Sequence, residues 1–270
     1  MKKFFTAIIA GTIFLSAFGC DASSKEPEKI TADYSLNFKG INGCGVFYDR
    51  SSNTYTLYNE EQCNTRYSPN STFKIAATLE GLKYDVVTSE NSTMNYNGNT
   101  YPFESWNKNL NLKEAFQNSC VWYYRQLIDG VGQENMAADL NSLGYGNCDV
   151  SQWKGSGQGP TEDTNGFWLG SSLEISPIEM VNVIADIFED KTEYDKNDIN
   201  ILKNIMQSDI DGIYGKTGTG RDNSAWYSGF YEGEMGRVYF AVHLENGDGE
   251  NVAGADAKAV ACDIVEEYYK

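Results

Sequence analysis

Apolar residues alternate with polar ones near both ends of this chain and recur every three or four positions through its middle. Val46-Phe47-Tyr48 and Tyr55-Thr56-Leu57-Tyr58 read as two strands around the turn-prone Ser51-Ser52-Asn53-Thr54. In a regular hairpin centred between Asn53 and Thr54, Cys44 faces Cys63, which predicts a disulfide between them. A helix is expected near Thr72–Leu82. Two more are clear in the stretch from about 85 to 205. Leu112–Ile128 carries Leu112, Ala115, Phe116, Cys120, Tyr123, Tyr124 and Leu127 at helical spacing, and Pro177–Phe188 opens with Ser176 as N-cap and proline in the first turn. Strands return at Ser224–Tyr231 and Arg237–Leu244, and Ala255–Tyr269 closes the chain as a helix. The fold class is therefore α/β of the α+β kind. Strands from both ends form one antiparallel sheet flanked by the first and last helices, and the middle forms a mostly helical second lobe. The sheet lobe takes about 36–76 and 206–270 and the helical lobe about 77–205, together one domain over 36–270. A cleft between two such lobes is a natural ligand site.

Composition narrows the function. The 270 residues are 41% hydrophobic, enough for a sizeable core. Lys and Arg number 21 against 38 Asp and Glu, a net charge of −17, and a surface that acidic repels nucleic acid. His243 is the only histidine, and it lies in an alternating strand segment, where it reads as a structural residue. A His-rich metal site is excluded.

The N-terminus places the protein outside the cytoplasm. Lys2 and Lys3 precede an apolar run from Phe4 to Phe18, too short to span a bilayer comfortably, so residues 1–19 read as a secretory signal peptide. Ala17-Phe18-Gly19 suits ordinary cleavage before Cys20. Leu15–Cys20 also reads as a loose lipoprotein signal, the favoured ending, with Cys20 the lipidated anchor to a membrane. Residues 20–35 would form a tether. Export permits disulfides, yet Cys44, Cys63, Cys120, Cys148 and Cys262 are an odd number. Cys120 reads first as a small core residue, with a bond to Cys148 the alternative.

The chemistry concentrates in Tyr67-Ser68-Pro69-Asn70-Ser71-Thr72-Phe73-Lys74, where strand gives way to helix. Ser71 and Lys74 share a helix face, so the amine can reach the hydroxyl. A serine needs a base, and with one histidine in the chain lysine is the available one, provided burial keeps it neutral. Lys216-Thr217-Gly218 precedes strand-like sequence and offers a small-residue edge to a substrate backbone. Ser119-Cys120-Val121 falls inside the helix expected over Leu112–Ile128. Ser-x-x-Lys, Ser-x-x and Lys-Thr-Gly in that order follow the signature of penicillin-recognising serine enzymes, with the middle element altered.

With these motifs the chain resembles the class D β-lactamases, or oxacillinases. Tyr67–Ile75 resembles that family's nucleophile segment, and Val121 separates Ser119-Cys120-Val121-Trp122 from the Ser-Asp-Asn of class A enzymes. Tyr145-Gly146-Asn147, Phe167-Trp168-Leu169 with Leu173–Pro177, and Trp226-Tyr227-Ser228-Gly229 are similar to further family segments, so the likeness spans roughly 40–265. The resemblance implies β-lactam antibiotics as substrates and Ser71 as nucleophile. It implies Lys74 carboxylated by CO2 as general base, with Trp168 donating its indole N–H to the carbamate. Ser119 and Lys216 would relay a proton to the lactam nitrogen, and the backbone N–H groups of Ser71 and Thr219 would form the oxyanion hole. Phe73, Val121 and Leu169 would keep the pocket apolar, and Thr217, Gly218 and Thr219 would line the substrate strand. No metal, organic cofactor or obligate protein partner is implied.

One departure stands out. Asn246–Lys258 holds no arginine to grip the drug's carboxylate, which leaves Lys216, Thr217, Thr219 or Arg221 for that role, with Lys258 a poorer substitute. Two other readings compete with the hydrolase. One is a penicillin-sensing receptor domain that acylates without turnover, which is usually fused to a membrane-spanning region where this chain shows only a leader. The other is a cell-wall D,D-peptidase, which would carry Asn in place of Val121.

Overall fold

The computed structural model describes residues 26–153, 166–245 and 251–270. The expected leader and Cys20 lie outside these residues, as do 246–250 of the segment lacking an arginine. Among the described residues the chain runs through β1 (Glu28–Thr31), α1 (Ser35–Phe38), β2 (Asn42–Asp49), β3 (Thr54–Tyr58), α2 (Glu60–Cys63) and α3 (Lys74–Lys83). It continues through β4 (Thr93–Met94), β5 (Leu110–Asn111), α4 (Leu112–Gln117), α5 (Val121–Val131) and α6 (Gln133–Leu143). Then come α7 (Pro177–Phe188), α8 (Lys196–Met206), β6 (Ile213–Thr219), β7 (Ser224–Gly233), β8 (Gly236–Glu245) and α9 (Gly254–Tyr268). β1, inside the span expected to be tether, is exposed throughout and pairs in parallel with β3.

Strands from the two ends of the sequence share one six-stranded sheet in the order β1-β3-β2-β8-β7-β6, antiparallel apart from β1. Alternation along β7 and β8 divides their side chains between two cores. Ala225, Tyr227, Phe240, Val242 and Leu244 pack with Val260, Ala261, Ile264 and Val265 of α9. Trp226, Phe230, Tyr239 and Ala241 belong instead to the larger core, which takes in α3, α5, α7 and α8. Covering both faces is why seven consecutive residues of β7 are buried. α7 keeps its expected bounds: Ser176 and Glu179 form a reciprocal capping box ahead of Pro177, a cap worth about 1 kcal/mol.

The structure corrects four expectations. The first hairpin is centred two residues earlier than expected, with Asp49 paired to Thr54 and Gly45 to Tyr58. Asp49 causes the shift: its carboxylate accepts from Ser51 N (2.8 Å) and Ser52 Oγ (2.9 Å), and Asn53 turns the chain at φ 55°. Cys63 is consequently not a strand residue but the end of α2, and Cys44 pairs in register with His243 of β8. Cys44 and Cys63 are buried free thiols rather than the predicted disulfide, and the Cys63 thiol donates to Tyr58 O at 3.1 Å. The helix expected over Leu112–Ile128 is two helices, broken at Asn118–Cys120, where Ser119 adopts φ 57°. The helix expected at Thr72 begins as a 3-10 turn, Asn70–Phe73, before α3.

Candidate active site

Ser71 sits in the 3-10 turn and Lys74 opens the α-helix that follows, which brings Lys74 Nζ within 2.9 Å of Ser71 Oγ. The lysine is wholly buried and Ser71 is 9% exposed. Burial takes the Lys74 amine from its ordinary 10.5 down to about 7, against a small opposing effect of Cys120. Near neutral pH a large share of this amine is therefore unprotonated, which is what a base or a CO2-accepting amine requires. Thr78 and Tyr124 brace it: Thr78 Oγ1 donates to Lys74 O (2.7 Å) and lies 2.8 Å from Tyr124 Oη, and the Tyr124 ring centre is 5.2 Å from Lys74 Nζ. Cys120, buried at the end of the helix break, is a free thiol pushed up to about 12 by burial.

The break between α4 and α5 carries Ser119 to the other side of the cleft. Lys216 Nζ of β6 donates to Ser119 Oγ at 2.9 Å and to Thr217 O at 3.0 Å. Burial, and then the charge of Lys74, hold Lys216 well below the ordinary lysine range. β6 is the last strand of the sheet, bridged near its start by Gln207 opposite Tyr214, and passes directly beside the nucleophile. A Cβ on Gly218 would lie 3.2 Å from Pro69 O and 3.4 Å from Ser71 N, so a side chain here would crowd the nucleophile turn. Thr219 is exposed beyond it, and its Oγ1 accepts from Gly254 N at 2.9 Å. A cavity of about 270 Å³ runs along this edge, lined by Phe116, Ile205, Lys216, Thr217, Tyr227 and Lys258. Lys258 is held there by Asp209.

Segment 167–175 forms the third wall. Phe167 and Trp168 are fully buried and pack on Phe73 with ring centres 5.2 and 5.6 Å away, while Leu169 is half-buried. Val121, the first residue of α5, is 7% exposed. The indole N–H of Trp168 is buried with no partner among the described residues. An orphaned donor in an apolar wall is costly unless an acceptor arrives. Tyr145-Gly146-Asn147 fixes the segment. Asn147 N donates to Glu174 O (2.9 Å), Glu174 N donates to Asn147 Oδ1 (3.0 Å), and Gly146, at φ 56°, lies where a Cβ would be 1.9 Å from Glu174 O.

The structure thus brings Ser71, Phe73, Lys74, Ser119, Val121, Trp168, Lys216, Thr217 and Gly218 around one cleft. It also supplies a member that the sequence left without a role. Ser68 Oγ donates to Trp168 O (3.0 Å) and accepts from Gly170 N (2.8 Å), while Ser68 O accepts from Trp226 Nε1 (3.0 Å), so one residue ties the nucleophile turn to two walls. Its only signal in the sequence was adjacency to the motif. His243 stands apart, as expected. It is stacked 3.9 Å from the Tyr67 ring, and burial lowers it to about 3, which keeps it neutral. No cluster of metal-ligating side chains occurs among the described residues.

The family model for the penicillin-binding protein transpeptidase domain matches residues 42–266. The regulatory protein BlaR1 of Staphylococcus aureus is 33% identical over 87% of this chain, which spans only 39% of BlaR1. The probable β-lactamase YbxI of Bacillus subtilis (strain 168) is 31% identical over 99% of this chain and 98% of its own length. Among solved structures, a class D β-lactamase from Bacillus subtilis superposes with a TM-score of 0.77 at 32% identity, covering 88% of this chain and 95% of that one.

Proposed function

The chain belongs to the penicillin-binding transpeptidase-domain family, its relatives include class D β-lactamases and BlaR1 sensors, and from that premise we propose that it is a class D-type serine β-lactamase. It opens the β-lactam amide of penicillins and related antibiotics. The observation that carries this reading is the Ser71–Lys74 pair, a hydroxyl 2.9 Å from a wholly buried amine held at about 7, beside a wall whose Trp168 indole N–H has no acceptor among the described residues.

Ser71 Oγ attacks the lactam carbonyl carbon and gives up its proton on the Lys74 side. The backbone N–H groups of Ser71 and Thr219 stabilise the oxyanion. As the C–N bond breaks, a proton passes through Ser119 and Lys216 to the departing nitrogen. Water then attacks the Ser71 ester and releases the opened acid. When dissolved CO2 has combined with the neutral Lys74 amine, the resulting carbamate supplies an anionic base for both proton abstractions. The residues that would hold it are Trp168, through its N–H, and the apolar wall of Phe73, Val121 and Leu169. Nothing in this chemistry calls for a metal. Export through the 1–19 leader, with or without a lipid anchor on Cys20, belongs to the same proposal.

The BlaR1 relationship favours a second reading, a receptor domain that acylates once and stops. Val121 argues for the hydrolase, because an apolar residue beside the base protects a carbamate that a polar one would compete with. Nitrocefin decides between them. Sustained hydrolysis that increases with added bicarbonate supports the enzyme. A burst of one equivalent per protein, unchanged by bicarbonate, refutes it.

A further inference from the structure

We infer that Arg125 is a positioning residue for Trp168: its buried guanidinium, lying over the rings of both Trp153 and Trp168, fixes the second indole and makes its N–H a stronger donor. Resting on the proposed carbamate at Lys74, this deepens that reading by adding a residue that no motif contains. Arg125 lies one turn beyond Val121 on α5, so the helix that presents the pocket's apolar wall also presents this cation. It is fully buried, an unusual position for an arginine. Its guanidinium carbon is 5.4 Å from the centre of the Trp153 ring and 5.5 Å from that of Trp168. Trp153 is itself stacked on Phe167, with centres 5.2 Å apart and planes at 15°. Asp129, one turn on and partly exposed, anchors the guanidinium edge with a 2.6 Å bond from Nη2.

The physical consequence follows from the geometry. A planar cation against an indole face is attracted by the ring's quadrupole, and the attraction is greatest where water is excluded. The cation draws electron density from the ring and leaves the N–H more positive. That N–H is buried and has no partner among the described residues. Its acceptor would be an anion on Lys74, so Arg125 favours the charged, carboxylated lysine without touching it. The sequence signal was a charge at i+4 within an apolar helical stripe, with an acidic partner a further turn away.

The test is a bicarbonate titration of the full exported chain, read both by 13C NMR of 13C-labelled carbamate and by nitrocefin turnover, in the parent, Arg125→Met and Trp153→Leu. In Arg125→Met the bicarbonate concentration at half-saturation is expected to rise about tenfold in both readouts, with kcat recovering at excess bicarbonate. Trp153→Leu, which keeps the ion pair but removes one wall, is expected to raise it about threefold. A merely structural arginine would lower kcat or the melting temperature without moving the half-saturation point. A folded Arg125→Met that titrates like the parent overturns the inference. If Arg125→Met gives no cooperative unfolding, parental titration of Trp153→Leu overturns it instead. A parent that shows neither labelled carbamate nor bicarbonate dependence overturns the proposed base itself, and with it this inference, which is a different result from a variant matching a carboxylated parent.

Discussion

Lys74 sets function against stability, and Lys74→Met measures the conflict. Methionine fills a similar volume without a charge, so the substitution removes the amine and little packing. Taking the amine from 10.5 to about 7 corresponds to about 5 kcal/mol of preference for the neutral form in the folded protein. The sign follows from the protons bound. Between about pH 7 and 10.5 the unfolded chain keeps a proton on this amine that the folded chain has released, so the lysine's contribution to stability rises with pH through that window. Below about pH 7 both states are protonated and the whole penalty applies; above 10.5 neither is and it disappears. Lys74→Met should therefore be more stable than the parent by about 4–5 kcal/mol near pH 6.5 and by only about 1.5 kcal/mol near pH 9.5. Lys216, depressed in the same sense, is present in both proteins, and losing the Lys74 charge relieves it further at low pH. The assay is urea unfolding at the two pH values in bicarbonate-free buffer, with nitrocefin turnover abolished in the variant. A Lys74→Met protein no more stable than the parent near pH 6.5, or one whose gain is the same at both pH values, would refute the claim that the amine is buried at a cost.

Other substitutions address the remaining walls of the cleft. Trp168→Phe removes the indole N–H and keeps the ring on Phe73, so deacylation should slow about 100-fold, seen as acyl-enzyme accumulating in intact-protein mass spectrometry. Ser119→Ala removes the hydroxyl 2.9 Å from Lys216 Nζ, and stopped-flow acylation should fall about 100-fold with the fold unchanged. Gly146→Ala places a methyl at φ 56°, 1.9 Å from Glu174 O, and should cost about 2–3 kcal/mol in urea unfolding while loosening the wall that holds Trp168.

How much the sequence revealed depended on the range of the interaction involved. The capping box at Ser176 and Glu179 was legible because its partners lie three residues apart. The six-stranded sheet was legible as a class because the period-2 segments at both ends had to bury a face. Its hairpin register was not, because the Asp49 side chain captured the turn and moved the centre by two residues, which put Cys63 beyond the strand, at the end of α2. The break at Ser119 was hidden because the apolar spacing over Leu112–Ile128 runs straight through it. Hydrophobic periodicity reports which face is buried and is silent on a single left-handed residue that realigns the next helix.

The sequence by itself determined the order of elements, the family likeness and the pairing of Ser71 with Lys74, because a spacing of three residues on a helical turn already fixes that distance. Only the tertiary structure decided that Lys74 is dehydrated, that Ser119 meets a lysine 97 residues away, that the Trp168 N–H has no partner among the described residues, and that Arg125 lies over two indole rings. Each of these depends on which surfaces exclude water together. That is settled by the packing of segments far apart in the chain rather than by any pattern within one of them.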